Sequence, residues 1–255
     1  LTKEGEAVAN DDMGMRYWLK DMISGGECST SRESDMIRAV TQLAKLHTAL
    51  RECAPEIPEF MMTDRNDPSN VCQRHYRELI KVKIYVLARR SRNEFERSFL
   101  AQYEHYMGDA AEAIRLLDEE EIHSVKGLCH GDFNQHNVLR TTDGFRIVHY
   151  ENMCYTMQVV DLANFVRKML EKNRWEKDLG MRLLEQYDKE RAMCADEKKL
   201  LYAMLLFPEK FWKVSNHYSN SRKTWVSERE IEKLVRMSEL EPARSRFLEN
   251  MLSFL

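Results

Sequence analysis

No apolar run in this 255-residue chain is long enough to cross a bilayer. Nor is one sign of charge in clear excess. There are 39 lysines and arginines against 42 aspartates and glutamates, a formal net charge of −3. That balance gives no electrostatic footing for nucleic acid or an anionic membrane as partner. Proline and glycine are sparse, at five and nine residues. No internal repeat and no low-complexity segment occurs, and the composition is that of an ordinary helical protein. The six cysteines (Cys28, Cys53, Cys72, Cys129, Cys154, Cys194) include no CxxC pair. Neither a zinc site nor a disulfide framework fits that scatter, and reduced cytosolic thiols are expected. Cross-linking stays open if the protein ends in an oxidising assembly. No GxGxxG is present, and the polar start Leu1-Thr2-Lys3-Glu4 gives no signal peptide. A start on Leu1 rather than Met points to a longer parent.

What is present reads as one large domain, or one and a half. Ala7 to Ile23 is expected to form a hairpin. Asn10 to Gly14 is its turn, and Met15, Tyr17 and Leu19 alternate as in a half-buried strand. Ser24-Gly25-Gly26 breaks it. Thr30-Ser31-Arg32-Glu33 is a capping-box sequence, opening a helix with Met36, Ile37, Val40, Leu43, Ala44, Leu46 and His47 at helical spacing. Pro55, Pro58 and Asp67-Pro68 are breaks. Helices are expected from Val71 to Arg90 and from Glu94 to Leu117. Leu79, Ile80, Ile84, Val86, Leu87, Phe95, Phe99, Leu100 and Tyr103 supply their buried faces. Thr142-Asp143-Gly144 turns a strand ending near Arg140 into one from Phe145 to His149. The remainder reads as helices from Val160 to Glu171, Trp175 to Glu190, Asp196 to Leu206 and Glu209 to Tyr218. Pro208 is placed at N1 of the fourth, and a last helix is capped by Ser227 with Glu230. Glu119, Glu120 and Glu121 read as a solvated face.

The chemistry concentrates in His130-Gly131-Asp132-Phe133-Asn134-Gln135-His136-Asn137, set between the apolar runs Gly127 to Cys129 and Val138-Leu139. An Asp that orients a hydroxyl, followed after four residues by an Asn that can hold a metal beside nucleotide phosphates, is what phosphoryl transfer needs. The stretch resembles the catalytic loop of the aminoglycoside and choline phosphotransferases of the protein-kinase-like fold. Asp132 is then the catalytic candidate, with loop-capping as its bland alternative. His130 is expected to tie the loop backbone together. Asn137 offers a hard amide oxygen for magnesium or, on the bland reading, caps loop amides. Gln135 and His136 could face a substrate. Asp161 is either an N-terminal helix charge or a buried Asp supporting the loop.

Two features depart from that pattern. Active phosphotransferases of this fold carry an Asp where Ile147-Val148-His149 places His149. Imidazole is a poor magnesium ligand, and His149 reads as a core or loop histidine. Glu151, two residues on, would share its face if the strand continued, and is a tentative second metal ligand. The nucleotide-binding Lys and its Glu helix are also missing. Residues 1–24 fit the last strands of a truncated N-lobe and the hinge, and 25–255 a helical C-lobe with the catalytic loop at 128–139. The earlier strands are expected upstream of Leu1.

Phe207-Pro208-Glu209-Lys210-Phe211-Trp212-Lys213, Tyr218 to Ser221, and Arg167 to Asn173 with Trp175 complete the pattern. Physically the first string packs through Phe207, Phe211, Trp212 and Val214. With the loop, these strings resemble the CotS family, kinase-like spore-coat proteins of endospore-forming bacteria, over nearly the whole chain. The resemblance implies an α+β, aminoglycoside-phosphotransferase-like fold, mainly helical with a small catalytic hairpin. It implies synthesis in the cytoplasm, residence in the spore coat and other coat proteins as partners. The family tends to lack the metal-binding Asp at the position of His149. Three functions stay open. One is a coat-associated protein with weak or no catalysis. The second is an ATP- and Mg2+-dependent kinase of a small polar hydroxyl compound. The third is a nucleotide sensor without turnover.

Overall fold

The computed structural model describes residues 8–17, 20–52, 57, 67–118, 126–221 and 228–255. Strands β1 (Ala9–Asn10) and β2 (Arg16–Tyr17) pair antiparallel, with Ala9 opposite Tyr17. Asp11 builds their turn by accepting from the backbone N–H of Met13 at 2.9 Å and of Met15 at 2.8 Å. The expected half-buried face is not covered. Val8, Met15 and Tyr17 are all exposed, because a two-stranded ribbon has no second layer to bury them. Ala7 and Leu19 lie outside the described residues.

Strand β3 (Gly26–Glu27) corrects the expected break. The chain breaks at Ser24-Gly25, but Gly26 and Glu27 pair with Arg140 and Leu139. A Cβ on Gly25 would lie 2.7 Å from the Arg140 carbonyl oxygen, so the glycine permits that close approach. Helix α1 (Glu33–Glu52) starts on the last residue of the expected capping box, two residues later than a Thr30 cap would open it. Asp35, in its first turn, accepts from the Ser29 N–H at 3.2 Å, while Glu33 pairs with Arg182.

Helix α2 (Pro68–Leu87) begins earlier than expected. Asp67 is its N-cap and Pro68 opens the first turn, where a missing N–H costs nothing. Helix α3 (Glu94–Leu117) has the expected bounds and is opened by a capping box of Asn93 and Glu96. Leu79 and Val86 are buried, whereas Ile80, Ile84 and Leu87 are exposed. Their spacing on α2 puts them outside the stripe that α3 and α7 cover.

Strands β4 (Lys126–Cys129), β5 (Val138–Thr141), β6 (Gly144–Ile147) and β7 (Cys154–Met157) frame the loop of interest. β3, β5 and β6 form one antiparallel sheet, and β4 with β7 a second. Thr142 and Asp143 are the two loop residues of the β5–β6 hairpin. Neither β3 nor β7 is expected from the sequence pattern.

Helices α4 (Val159–Lys172), α5 (Lys177–Glu190), α6 (Ala195–Leu206), α7 (Glu209–Asn220) and α8 (Glu228–Met251) follow. Pro208 stands at the N-cap of α7 rather than N1. Ser227, the expected cap of α8, lies outside the described residues, as do Pro55, Pro58, Cys53 and Glu119 to Glu121. The main core joins α1, α4, α5, α6 and the C-terminal end of α8 around Leu43, Phe165, Leu183, Tyr187 and Phe247. A smaller core joins α2, α3 and α7, where Phe211 stacks on Phe99 with centroids 5.2 Å apart. Trp212 stacks on His75 and donates to Glu78 at 2.7 Å. Among the described residues, no helix is long and apolar enough to cross a membrane.

Candidate active site

The β4–β5 connection is pinned from both sides. His130 is fully buried and acts on the backbone. Its Nδ1 accepts from the Asp132 N–H at 3.2 Å, so the proton sits on Nε2, which donates to the Val148 carbonyl at 3.0 Å. The Asp132 carboxylate takes one hydrogen bond on each oxygen. Asn134 donates to Oδ1 and Asn137 to Oδ2, both at 2.9 Å. The Asp132 residue itself is exposed. A carboxylate held in one rotamer, with lone pairs left over, can accept a proton from a hydroxyl or orient it.

Beneath the loop lies Asp161, buried in the first turn of α4, where the helix dipole favours a negative charge. Its Oδ2 accepts from the His130 N–H at 2.7 Å and its Oδ1 from the Gly131 N–H at 3.1 Å. The same Oδ2 lies 3.2 Å from His47 Nε2, and Tyr187 Oη lies 2.7 Å from His47 Nδ1. Burial pushes the His47 pKa down, with Asp161 opposing the shift. A neutral His47 donating from Nε2 to Asp161 and accepting from the Tyr187 hydroxyl satisfies both contacts. Gln158 continues the network, donating to the carbonyls of His47 and Leu128. The sequence reading left the His47 role open, as one apolar-face histidine among core residues.

The metal side of the loop is weaker. Asn137 spends its amide nitrogen on Asp132, and among the described residues nothing donates to its Oδ1. That oxygen can take a cation. His149 is neither buried nor on a strand. It follows β6 in the left-handed region, φ 66°, with its side chain 63% exposed. Strand β6 stops at Ile147 and Tyr150–Asn152 is a 3-10 turn, so the same-face argument for Glu151 fails. Glu151 is exposed and bound to Lys20, and it lies 3.7 Å from His149 Nδ1. Magnesium prefers several oxygens. One amide oxygen, one imidazole and one lysine-bound carboxylate do not make that donor set.

Asp132 and Gly131 open into a cavity of about 510 Å3, bounded by the start of α2, strand β7 and α4. A second cavity of about 720 Å3 lies on the other side of Arg167 and Phe207, which line both. Gln135 and His136, candidate substrate-facing residues, line the larger one with Asn134. Helix α4 turns one face to both spaces, with Asp161, Asn164, Arg167, Lys168, Glu171 and Lys172 at helical spacing. Sequence reasoning missed Arg167 and Lys168 as site residues, although the i, i+3, i+7 spacing from Asp161 was visible. Burial pushes the Lys168 pKa down, Arg167 adds to the shift, and the Asp132 charge opposes it.

The fold matches solved phosphotransferases. An aminoglycoside phosphotransferase from Alicyclobacillus acidocaldarius superposes with a TM-score of 0.84 at 19% identity, covering 99% of this chain and 75% of that one. A choline/ethanolamine kinase family protein from Mesorhizobium loti gives 0.56 at 16% identity, with 96% and 76% covered. A choline kinase from Cryptosporidium parvum gives 0.51 at 13% identity, with 95% and 74% covered. No curated protein gives a sequence match. The fold is therefore that of the protein-kinase-like phosphotransferases, as the loop motif implied. One family model spans residues 6–251, so the chain belongs to the kinase-like spore-coat family described as "Spore coat putative kinase YutH".

Proposed function

We propose that the protein serves in or near the spore coat through its kinase-like shape, with phosphoryl transfer weak or absent. The observation that carries this reading is His149. It stands where the fold's metal-binding carboxylate is expected, exposed and left-handed, and the nearest carboxylate, Glu151, is held by Lys20. Losing the charge that neutralises transferring phosphates costs roughly 10²-fold or more in rate. Family membership supports the coat as the place of action, and other coat proteins as partners.

One observation favours a second reading, an ATP- and Mg2+-dependent kinase of a small hydroxyl compound. Asp132 is held in one orientation and faces a cavity, and Asn137 Oδ1 is open to a cation. A sensor that binds nucleotide without turnover would use the same residues. The reading of residues 1–24 as the last strands of an N-lobe and the hinge, before a helical C-lobe at 25–255, is common to all three.

Asp132→Asn separates the readings in a spore-forming host. The variant is expected to assemble a coat with the protein composition and lysozyme resistance of the parent, while deletion does not. An Asp132→Asn coat as defective as the deletion, with the variant protein present at parental level, would show that the shape alone is not enough.

A further inference from the structure

The larger cavity carries a charge opposite to that of the chain. It is lined by eight lysines and arginines and only three glutamates, in a protein of net charge −3. All three glutamates are already paired. Glu171 binds Arg167 and Lys210, Glu209 binds Lys213, and Glu241 binds Arg244. Lys168, Lys172, Lys233 and Arg236 line the space without an ion pair within 4 Å among the described residues, although Lys168 feels the Asp132 and Glu171 charges. These four come from α4 and α8, two helices facing each other across the space, so their charge converges on it. Gln135 adds a buried Oε1 with no hydrogen-bond partner. An acceptor of that kind calls for a donor such as a hydroxyl. Buried Trp175 and Phe207 supply an apolar wall.

Cationic ligands do not suit this lining. An amino alcohol or an aminoglycoside would meet uncompensated like charge and find every carboxylate engaged. We propose that the cavity beside the catalytic loop binds a small hydroxyl compound carrying an anionic group, a phosphate or a carboxylate. The free cations hold the anion, Gln135 accepts from a hydroxyl, and the aromatic wall packs the carbon skeleton. A volume of about 720 Å3 suits a monosaccharide-sized ligand with its water. The proposal rests on the reading of the loop as phosphotransferase-like and names a ligand for the cavity that Asn134, Gln135 and His136 of that loop line, across Arg167 and Phe207 from the cavity that Asp132 faces.

The test is calorimetric titration of the full-length protein with glucose 6-phosphate, gluconate, inorganic phosphate, choline and kanamycin, without nucleotide. Mg-ATP is titrated separately into the same preparation. Glucose 6-phosphate or gluconate is expected to bind saturably, at least tenfold more tightly than inorganic phosphate, and choline and kanamycin not at all. The double substitution Lys172→Glu with Lys233→Glu, at two exposed positions, should weaken the anion at least tenfold while thermal unfolding stays unchanged. Tighter binding of choline or kanamycin than of either anion would overturn the proposal. So would the absence of saturation by both anions, or an affinity indifferent to the double substitution. Anion binding without Mg-ATP binding would sink only the phosphotransfer alternative, and Mg-ATP binding without anion binding only this one.

Discussion

Asp161→Asn should lower the free energy of unfolding by about 2–4 kcal/mol, since an amide cannot serve three donors that a buried carboxylate serves now. The His130 N–H, the Gly131 N–H and His47 all converge on Asp161. With Asn, whichever way the amide turns, its NH2 group faces one of two backbone donors, and that donor loses its acceptor. Hydrogen bonds to charged groups are worth about 1.5–3 kcal/mol each, and stranding a buried donor adds its desolvation cost. Loss of Asp161 would also free the backbone that aims Asp132. Urea denaturation of the parent and Asp161→Asn checks this. A change below about 0.5 kcal/mol, the range of ordinary surface substitutions, would remove Asp161 as the support of the loop.

Gly131→Ala is expected to be as damaging, for a geometric reason. Gly131 sits at φ +79°, and a Cβ there would lie 1.9 Å from the carbonyl oxygen of Asn152. No real contact is that short, so either the loop or the Tyr150–Asn152 turn must move. That turn directly follows His149 and contains Glu151. Gly14→Ala is the matched control, with φ +78° and nothing within 4 Å of the added carbon. The left-handed conformation alone costs about 1–2 kcal/mol, and a backbone clash brings the Gly131 variant to about 3 kcal/mol or more. Equal losses in both variants, measured by denaturation, would mean that the close approach to Asn152 carries no energy.

The loop was legible because its chemistry is local. His130, Asp132 and Asn137 lie within eight residues, and their mutual hydrogen bonds are set by that short spacing. The amphipathic helices were legible too, since the bounds of α3 follow from Asn93, Glu96 and a continuous apolar stripe. What failed depends on partners far away in sequence. The apolar spacing of Ile80, Ile84 and Leu87 looked like a core face, yet only the distant helices α3 and α7 decide which side of α2 is covered. Periodicity also placed Trp175 inside a helix. It stands instead in a left-handed turn after α4, φ 56°, beside Arg174 at φ 57°. Its ring is buried against Phe247, seventy-two residues on, which holds a conformation that local propensity opposes. The basic cavity was hidden for the same reason, because its free cations come from α4 and α8.

The central claim is that this kinase fold lost its metal site at His149 while keeping the loop around Asp132. Titrating Mg-ATP into the full-length protein and its His149→Asp variant tests it most directly. The account predicts no saturable binding in the parent, and binding gained in the variant, where a second oxygen ligand joins Asn137. Micromolar binding in the parent, unchanged or weakened by His149→Asp, would contradict it.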